Sequence, residues 1–368
     1  MRPTRATIDL DAIASNYRFL RERVGADRAL YCVVKADAYG HGAGAVARRL
    51  EREGASRFAV AIAEEGIALR RAGVRGEVLL LNYSDPADAG VHRAYRLVPS
   101  LYDLQQTDGF AQATRGFREP LPVHLKLDTG MGRIGFRPEE IPALAGGLRR
   151  APGLRVAGTF SNLASAEDPG SPQTSRQIAV LKEGVLALSS AGVPAGTVHL
   201  ANSAGALIRS DAWFDGVRPG LALYGIPPGS GEAADRLVPA MTVETAVMAV
   251  KAVPAGTPLG YGGQYVTERS SQIAVVPIGY HDGFRRSFSG RVRVLMRGNE
   301  APVVGAVSMD LTLVDVTGLD ARIGDRVVCL GAAEDRRVTA WDLARAAGTI
   351  PYEILCGIGA RVPRSYPS

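Results

Sequence analysis

Lysine is scarce in this chain. Only Lys35, Lys126, Lys182 and Lys251 occur, and arginine supplies the rest of the 43 basic residues. Arginine stays protonated and cannot form a Schiff base, whereas a desolvated lysine can, so a lysine at the end of an apolar strand draws notice. Cysteine is scarcer still. Cys32, Cys329 and Cys356 are scattered, which excludes a disulfide framework, offers no metal spacing and points to a reduced, cytoplasmic protein with no metal. No apolar run approaches the roughly 18 residues that would indicate a membrane span. The segment from Met1 to Arg5 runs into Asp9 and Asp11 without the apolar core of a signal peptide. The net charge is +6, but the arginines are spread rather than clustered, which argues against a nucleic-acid partner.

Apolar residues make up 46% of the 368 positions, enough for one large domain and a smaller one. From Ala29 to about Gly225 apolar strands alternate with amphipathic helices. Eight strands are predicted: Leu30–Val34, Phe58–Ile62, Val78–Leu81, Leu97–Ser100, Val123–Leu127, Arg155–Phe160, Val198–Leu200 and Gly216–Arg218. Helices are predicted at Ala43–Glu53, Glu64–Ala72, Pro138–Arg150 and Gln173–Ala191. Eight βα units suggest a closed parallel (β/α)8 barrel of the TIM type, α/β in class, with its chemistry just past the C-terminal strand ends. After Gly225 the texture changes. Pro227 to Gly231 is a loop or linker, followed by short strands (Met241–Val253, Gln272–Ile278, Arg291–Met296, Val303–Val314, Asp325–Leu330) and one helix, Ala340–Ala347. This predicts a barrel domain over 1–230 and a C-terminal, mostly antiparallel β domain over 231–368, closing as a small barrel.

Four segments carry chemistry. In Val33-Val34-Lys35-Ala36-Asp37-Ala38-Tyr39-Gly40-His41-Gly42 a strand delivers an amine to the mouth of a site. In His124-Leu125-Lys126-Leu127-Asp128-Thr129-Gly130-Met131-Gly132-Arg133 a lysine alternates with apolar neighbours and so points inward, where a cation needs a partner or must lose its charge. Arg133 offers a planar fork to a carboxylate or phenolate. This segment reads equally as a ligand loop or as a glycine-rich barrel turn with a structural ion pair. In Arg218-Pro219-Gly220-Leu221 the N–H groups of Gly220 and Leu221, with the Ser203 hydroxyl, form a cradle suited to a phosphate; the competing reading is a rigid barrel closure. In the second domain, Gly260-Tyr261-Gly262-Gly263, Gly279-Tyr280-His281-Asp282-Gly283 and Ser308-Met309-Asp310 read singly as turns and together as a site.

Together these segments, with the HLANSAG run at His199, RPGLALYG and LGYGGQY, closely resemble alanine racemase, from near Thr7 to Arg364. The resemblance implies a homodimer with shared active sites, dependent on pyridoxal 5'-phosphate, that racemises alanine by a two-base mechanism and supplies D-alanine for peptidoglycan. It implies that Lys35 carries the cofactor as a Schiff base and serves one face as a base, with Tyr261 of the second subunit serving the other. Arg218 would face the pyridine nitrogen. Tyr39, Asn202, Ser203, Gly220 and Leu221 would bind the cofactor, chiefly at its phosphate. Arg133, Met309 and Tyr280 would meet the substrate: Arg133 beside the phenolate, Met309 through its N–H in the partner subunit's site, Tyr280 at the entrance gate. Lys126 matches a lysine that is carbamylated in part of the family.

Two departures from the pattern stand out. Asn162 replaces a histidine of the network around the tyrosine base, and asparagine cannot carry charge. Ala360 replaces, in some members, a tyrosine that touches the phosphate and narrows the entrance. Racemisation of serine or another small amino acid, a non-catalytic pyridoxal-phosphate carrier and a decarboxylase on a related scaffold are the competing readings. Tyr261 argues against the carrier and Arg218 against the decarboxylase.

Overall fold

The structure, a computed structural model, describes residues 2–229 and 235–367. It contains two compact units, one of residues 11–38 and 43–238, the other of residues 2–10, 39–42 and 239–367. The boundary expected between 230 and 231 lies outside the described residues.

The first unit carries a parallel sheet in the order Leu97–Val98, Glu77–Leu80, Arg57–Val60, Ala29–Val33, Gly216–Val217, Thr197–His199, Leu154–Phe160, Leu121–Lys126, Ser100–Leu101. Its two outermost strands flank Pro99, so the ladder closes into a barrel through the chain itself. The fourth predicted strand is thus two short ones, because Pro99 has no N–H to give the ladder; its carbonyl accepts from the His124 N–H at 3.0 Å. Ala29–Val33 is buried at every position, as a parallel strand covered on both faces must be. Helices Ala43–Arg52, Ala63–Arg71, Ile141–Arg149 and Pro172–Ser190 match the predicted ones within three residues at their ends. Pro172–Ser190 starts where expected of a proline in its first turn behind a serine cap, with Ser171 accepting from the Thr174 N–H.

The second unit holds a mostly antiparallel sheet, ordered Ala249–Val253, Ser271–Val276, Thr312–Asp315, Asn299–Val304, Arg293–Met296, Arg326–Ala333, Met241–Ala246, Arg5–Ile8, Arg364–Ser365, with Arg336–Val338 paired to Arg326–Ala333. Among the described residues this ladder is an open path rather than the small closed barrel expected. Two further expectations fail. Met241–Val253 is two strands, which break at Val247 and Met248 and take different neighbours. Val303–Val314 is also two strands, parted by Gly305 at φ +64° and by a turn in which the Ser308 hydroxyl accepts from the Leu311 N–H. Arg5–Ile8 was not foreseen as a strand; it pairs antiparallel with Met241–Ala246 and parallel with Arg364–Ser365, which brings both chain ends into one sheet. The helix Ala340–Ala347 lies where predicted, opened by a capping box between Thr339 and Asp342 and closed by Gly348 at φ +67°.

Helix Leu10–Val24 was also missed. Its Asn16 is fully buried, donating to the carbonyls of Leu223 and Val238 and accepting from the Val238 N–H at 2.8 Å. Asn16→Ala would leave three backbone groups without their partner, the buried Leu223 carbonyl among them. It should cost about 2–4 kcal/mol in urea unfolding with no change in the slope of the transition.

Candidate active site

Parallel strands end on one face, so the residues that follow them gather there. Lys35 comes just after Ala29–Val33, Lys126 ends Leu121–Lys126, Phe160 ends Leu154–Phe160, His199 ends Thr197–His199 and Arg218 follows Gly216–Val217.

The chain leaves Lys35 in an unexpected way. Lys35–Gly40 is a helical turn in which Ala36, Asp37, Ala38 and Tyr39 all have φ between +50° and +55°. A left-handed turn of L-residues costs roughly 1–2 kcal/mol per residue and persists only where its surroundings impose it. The Ala36 N–H donates to Glu65 Oε1 at 2.6 Å, while Glu65 Oε2 accepts from Ala61 at 2.7 Å. The Asp37 carboxylate accepts from the Ala43 N–H at 2.7 Å. Gly40 closes the turn at φ +80°, where a Cβ would meet the Leu355 carbonyl at 2.6 Å.

Arg218 is 4% exposed. Its Nη1 donates to His199 Nδ1 at 2.7 Å and to the His199 carbonyl at 3.0 Å, and its Nη2 to the carbonyls of Ser161 at 2.5 Å and Leu200 at 3.0 Å. None of these bonds uses Nε. Because a guanidinium only donates, His199 Nδ1 must accept, so its proton sits on Nε2, 3.0 Å from His124 Nδ1, which accepts in turn. Burial, then the charge of Arg218, holds His124 down to about 3 and His199 well below the usual histidine range, so both rings are neutral. Phe160 stacks on His199 with ring centroids 5.1 Å apart and has Arg218 and Lys126 within 5.1 and 5.3 Å of its ring, a cation–π arrangement on one aromatic. Gly158 makes room for His124: a Cβ there would lie 2.5 Å from the imidazole.

Lys126 is 4% exposed and donates to the Leu81 carbonyl at 2.9 Å. Burial, followed by the charges of Arg133, Arg218 and Lys35, pushes its amine down to about 7. Those four cations therefore share one neighbourhood. Arg133 is exposed and follows a glycine loop organised by Asp128, whose Oδ1 accepts from the N–H groups of Gly130, Met131 and Gly132.

Asn202 caps the helix Ser203–Ile208 through the Gly205 N–H. The buried Ser203 Oγ accepts from Gly220 at 2.9 Å and Ala222 at 3.2 Å. The Gly220 N–H is thus turned onto the serine, and the Leu221 N–H takes no part in these bonds. With both lone pairs engaged, the Ser203 hydroxyl keeps its proton for an outside acceptor.

The remaining predicted residues belong to the sheet unit. Tyr39 is buried, its ring 5.6 Å from that of Tyr352. Tyr261 is 68% exposed, in a turn where Gly260, Gly262 and Gly263 all have positive φ. Tyr280 and Met309 are partly exposed and stitched together by backbone bonds, Tyr280 N–H to the Ser308 carbonyl at 3.0 Å and His281 N–H to the Met309 carbonyl at 3.2 Å. Ala360 is exposed.

Residues 8–228 match the family of alanine racemase N-terminal domains and residues 240–366 that of alanine racemase C-terminal domains. The chain belongs to the alanine racemase family. It is 43% identical over 368 residues to the alanine racemase of Symbiobacterium thermophilum, covering 100% of this chain and 97% of the relative, and 41% identical to that of Syntrophobacter fumaroxidans, covering 98% and 96%. The crystal structure of alanine racemase from Streptomyces lavendulae superposes with a TM-score of 0.95 at 37% identity, covering 100% of this chain and 98% of that one. The alanine racemase of Bartonella henselae, solved with covalently bound pyridoxal phosphate, gives 0.91 at 32% identity, each chain covered completely.

In this member of the alanine racemase family, Asn162 has its Oδ1 3.5 Å from Arg218 Nη2 and its Nδ2 donates to the Leu163 carbonyl at 3.0 Å. His124, His199, Phe160 and Glu65 were not singled out from the sequence. The only available signal was that two of the chain's five histidines fall inside barrel strands.

The low amine pKa of Lys126 makes stability depend on pH. An unfolded lysine titrates near 10.4, so between about pH 7 and 10 the unfolded chain holds the extra proton and stability rises with pH. Lys126→Met should remove up to about 1.4 kcal/mol per pH unit of that rise, read from urea unfolding of cofactor-free protein in CO2-depleted buffer.

Proposed function

We propose that this chain racemises alanine with pyridoxal 5'-phosphate, using two bases on opposite faces of the cofactor. The full-length identity to alanine racemases carries this reading. The donor set fits the cofactor. Ser203 keeps a hydroxyl proton, and Leu221 an N–H, for a phosphate; Arg218 keeps Nε for a ring nitrogen; and Lys35 sits at a strand end with an amine able to form a Schiff base. When bound, the group supplies an electron sink for the charge left by the departing Cα proton.

The chain's own residues do the rest. Lys35 would carry the cofactor and act as one base, and Tyr261 of a second copy would act as the other, so each site would be complete only in a homodimer. Burial pushes the Arg218 guanidinium down to about 9, still above neutral pH, so it stays charged there, held in place by three carbonyls and a neutral imidazole. A charged guanidinium there would leave a ring nitrogen unprotonated, which would weaken the sink and discourage transamination. Arg133 favours the Tyr261 phenolate, since a free phenol titrates near 10. Tyr39, Asn202, Ser203 and Leu221 would hold the cofactor; Gly220, expected among them, has its N–H spent on the Ser203 hydroxyl and would act only by orienting it. From the second copy, as with Tyr261, the Met309 N–H would meet the substrate carboxylate, and Tyr280 would line the entrance. With its pKa brought down to about 7, the Lys126 amine is about half neutral at pH 7; the neutral form is the one that adds to CO2, and the resulting carbamate would turn a buried cation into an anion able to orient Arg133.

The product would serve peptidoglycan synthesis in the cytoplasm. The described helices include none long and apolar enough to cross a membrane, and the three cysteines form no disulfide with one another.

Borohydride reduction of the purified protein followed by peptide mapping should place a pyridoxyl group on Lys35, and racemisation across an amino-acid panel should be fastest with alanine. Faster turnover of serine, or a bulkier substrate admitted past Ala360, would replace the assigned substrate. Tyr261→Phe should lower kcat at least about 100-fold, the scale of a lost general base. Asn162→His restores a titratable neighbour to Arg218; it should shift the apparent basic pKa of the kcat/KM profile, whereas an unchanged profile would remove position 162 from the base network.

A further inference from the structure

In the sheet unit a single carboxylate is enclosed by both ends of the chain. Asp282 is fully buried. Arg2 Nη2 reaches its Oδ1 at 2.7 Å, Arg361 Nε reaches the same oxygen at 2.7 Å, and Arg361 Nη2 and the Gly279 N–H reach Oδ2 at 3.2 and 3.0 Å. The other edge of the Arg361 guanidinium is also occupied, with Nη2 donating to Asp310 Oδ1 at 2.6 Å and lying 3.4 Å from the Met309 carbonyl.

These bonds join two segments. The turn Tyr280–Asp282 is clipped to its own start by the Asp282 carboxylate and anchored to the 359 region by the Gly359 N–H on the Asp282 carbonyl at 3.0 Å. It lies directly on Ser308 and Met309: a Cβ at Gly279 would come within 2.4 Å of both their carbonyl oxygens. No side chain fits between the two segments, so whatever fixes one fixes the other. Arg361 holds both with one planar fork, which a lysine's point charge cannot reproduce.

We infer that Arg361 is a positioning residue that clasps Asp282 to Asp310 and thereby sets the Met309 N–H and the Tyr280 ring in the geometry that receives the substrate carboxylate. This deepens the proposed racemase reading and rests on it for the roles of Met309 and Tyr280. Arg2 and Arg361 share the charge of Asp282, but only Arg361 touches the Met309 segment. The two arginines therefore separate positioning from plain stabilisation. Truncating either weakens the compensation of a buried charge, which destabilises the fold. Only truncating Arg361 frees the Met309 loop.

The test uses Arg361→Gln, Arg361→Lys and Arg2→Gln as cofactor-loaded protein. Arg361→Gln should raise KM for L-alanine roughly five- to tenfold with kcat within about twofold, the pattern of lost ground-state binding. The inhibition constant of propionate, a carboxylate without the amine, should rise in parallel. Amide hydrogen exchange over 279–283 and 307–311 should quicken in the same variant. Arg361→Lys should recover thermal stability but not KM, and Arg2→Gln should leave KM and propionate inhibition unchanged despite a lower Tm. An unchanged KM and unchanged exchange in Arg361→Gln, or equal KM changes in Arg2→Gln, would overturn the clasp. Exchange reports on the clasp without racemisation: a chain that loses protection over these segments in Arg361→Gln yet never racemises alanine would overturn the proposed reaction instead.

Discussion

Arg218 must keep a positive charge in a place where water does not reach it and where, among the described residues, no carboxylate pairs with it. The compensation comes from dipoles: the carbonyls of Ser161, His199 and Leu200 and one imidazole nitrogen. Those carbonyls lie at the C-terminal ends of neighbouring parallel strands, which this sheet order brings together. The arrangement costs less than burying a bare cation, because each donor used is matched by a fixed acceptor. The barrel register and the electrostatics of the site are thus one problem, since a slipped strand would withdraw a carbonyl and leave the charge exposed to an apolar interior.

The charge of Arg218 then propagates. It adds to burial in keeping His199 and His124 neutral, which fixes the tautomer of both rings and the direction of donation along the chain of three side chains. It also helps, behind burial and Arg133, to lower the Lys126 amine. In a protein so poor in lysine, the two lysines at this face are held at opposite extremes. One is locked in a dry strand end, and the other stands at the head of a strained turn. The strain of Ala36 to Tyr39 is borne by Glu65, whose two oxygens each take a backbone N–H, and by the tight fit behind Gly40.

The sheet unit solves a different problem. Its exposed residues of interest lie in turns rather than on strands, and turns need anchors. Glycines at 260, 262, 263 and 279 permit the backbone paths, and the buried Asp282, balanced between arginines from the first and last few residues of the chain, supplies the anchor. That the N-terminal strand Arg5–Ile8 joins this sheet explains why Arg2 is at hand.

Much of this was legible in the residues. Alternating apolar strands and amphipathic helices announce a βα barrel, because periodicity is a local property of sequence. Lys35, Lys126, Arg133, Ser203 and Arg218 stand out as chemistry-bearing types at strand ends. What could not be read depends on neighbours distant in the chain. Nothing in Ala-Asp-Ala-Tyr foretells a left-handed turn, since these residues favour the right-handed one when alone and it takes partners such as Glu65, 29 positions from Ala36, to make the other tolerable. The break at Pro99 is visible as a proline, yet its use as the seam that closes the ladder is a fact of pairing. His124 and His199 look like ordinary interior residues until Arg218 is placed beside them. Composition and spacing determined which groups this protein has and roughly where each lies along its strands. Tertiary structure alone decided which of them are dry, which share a proton and which are held under strain, because burial and hydrogen bonding are properties of what the folded chain brings together.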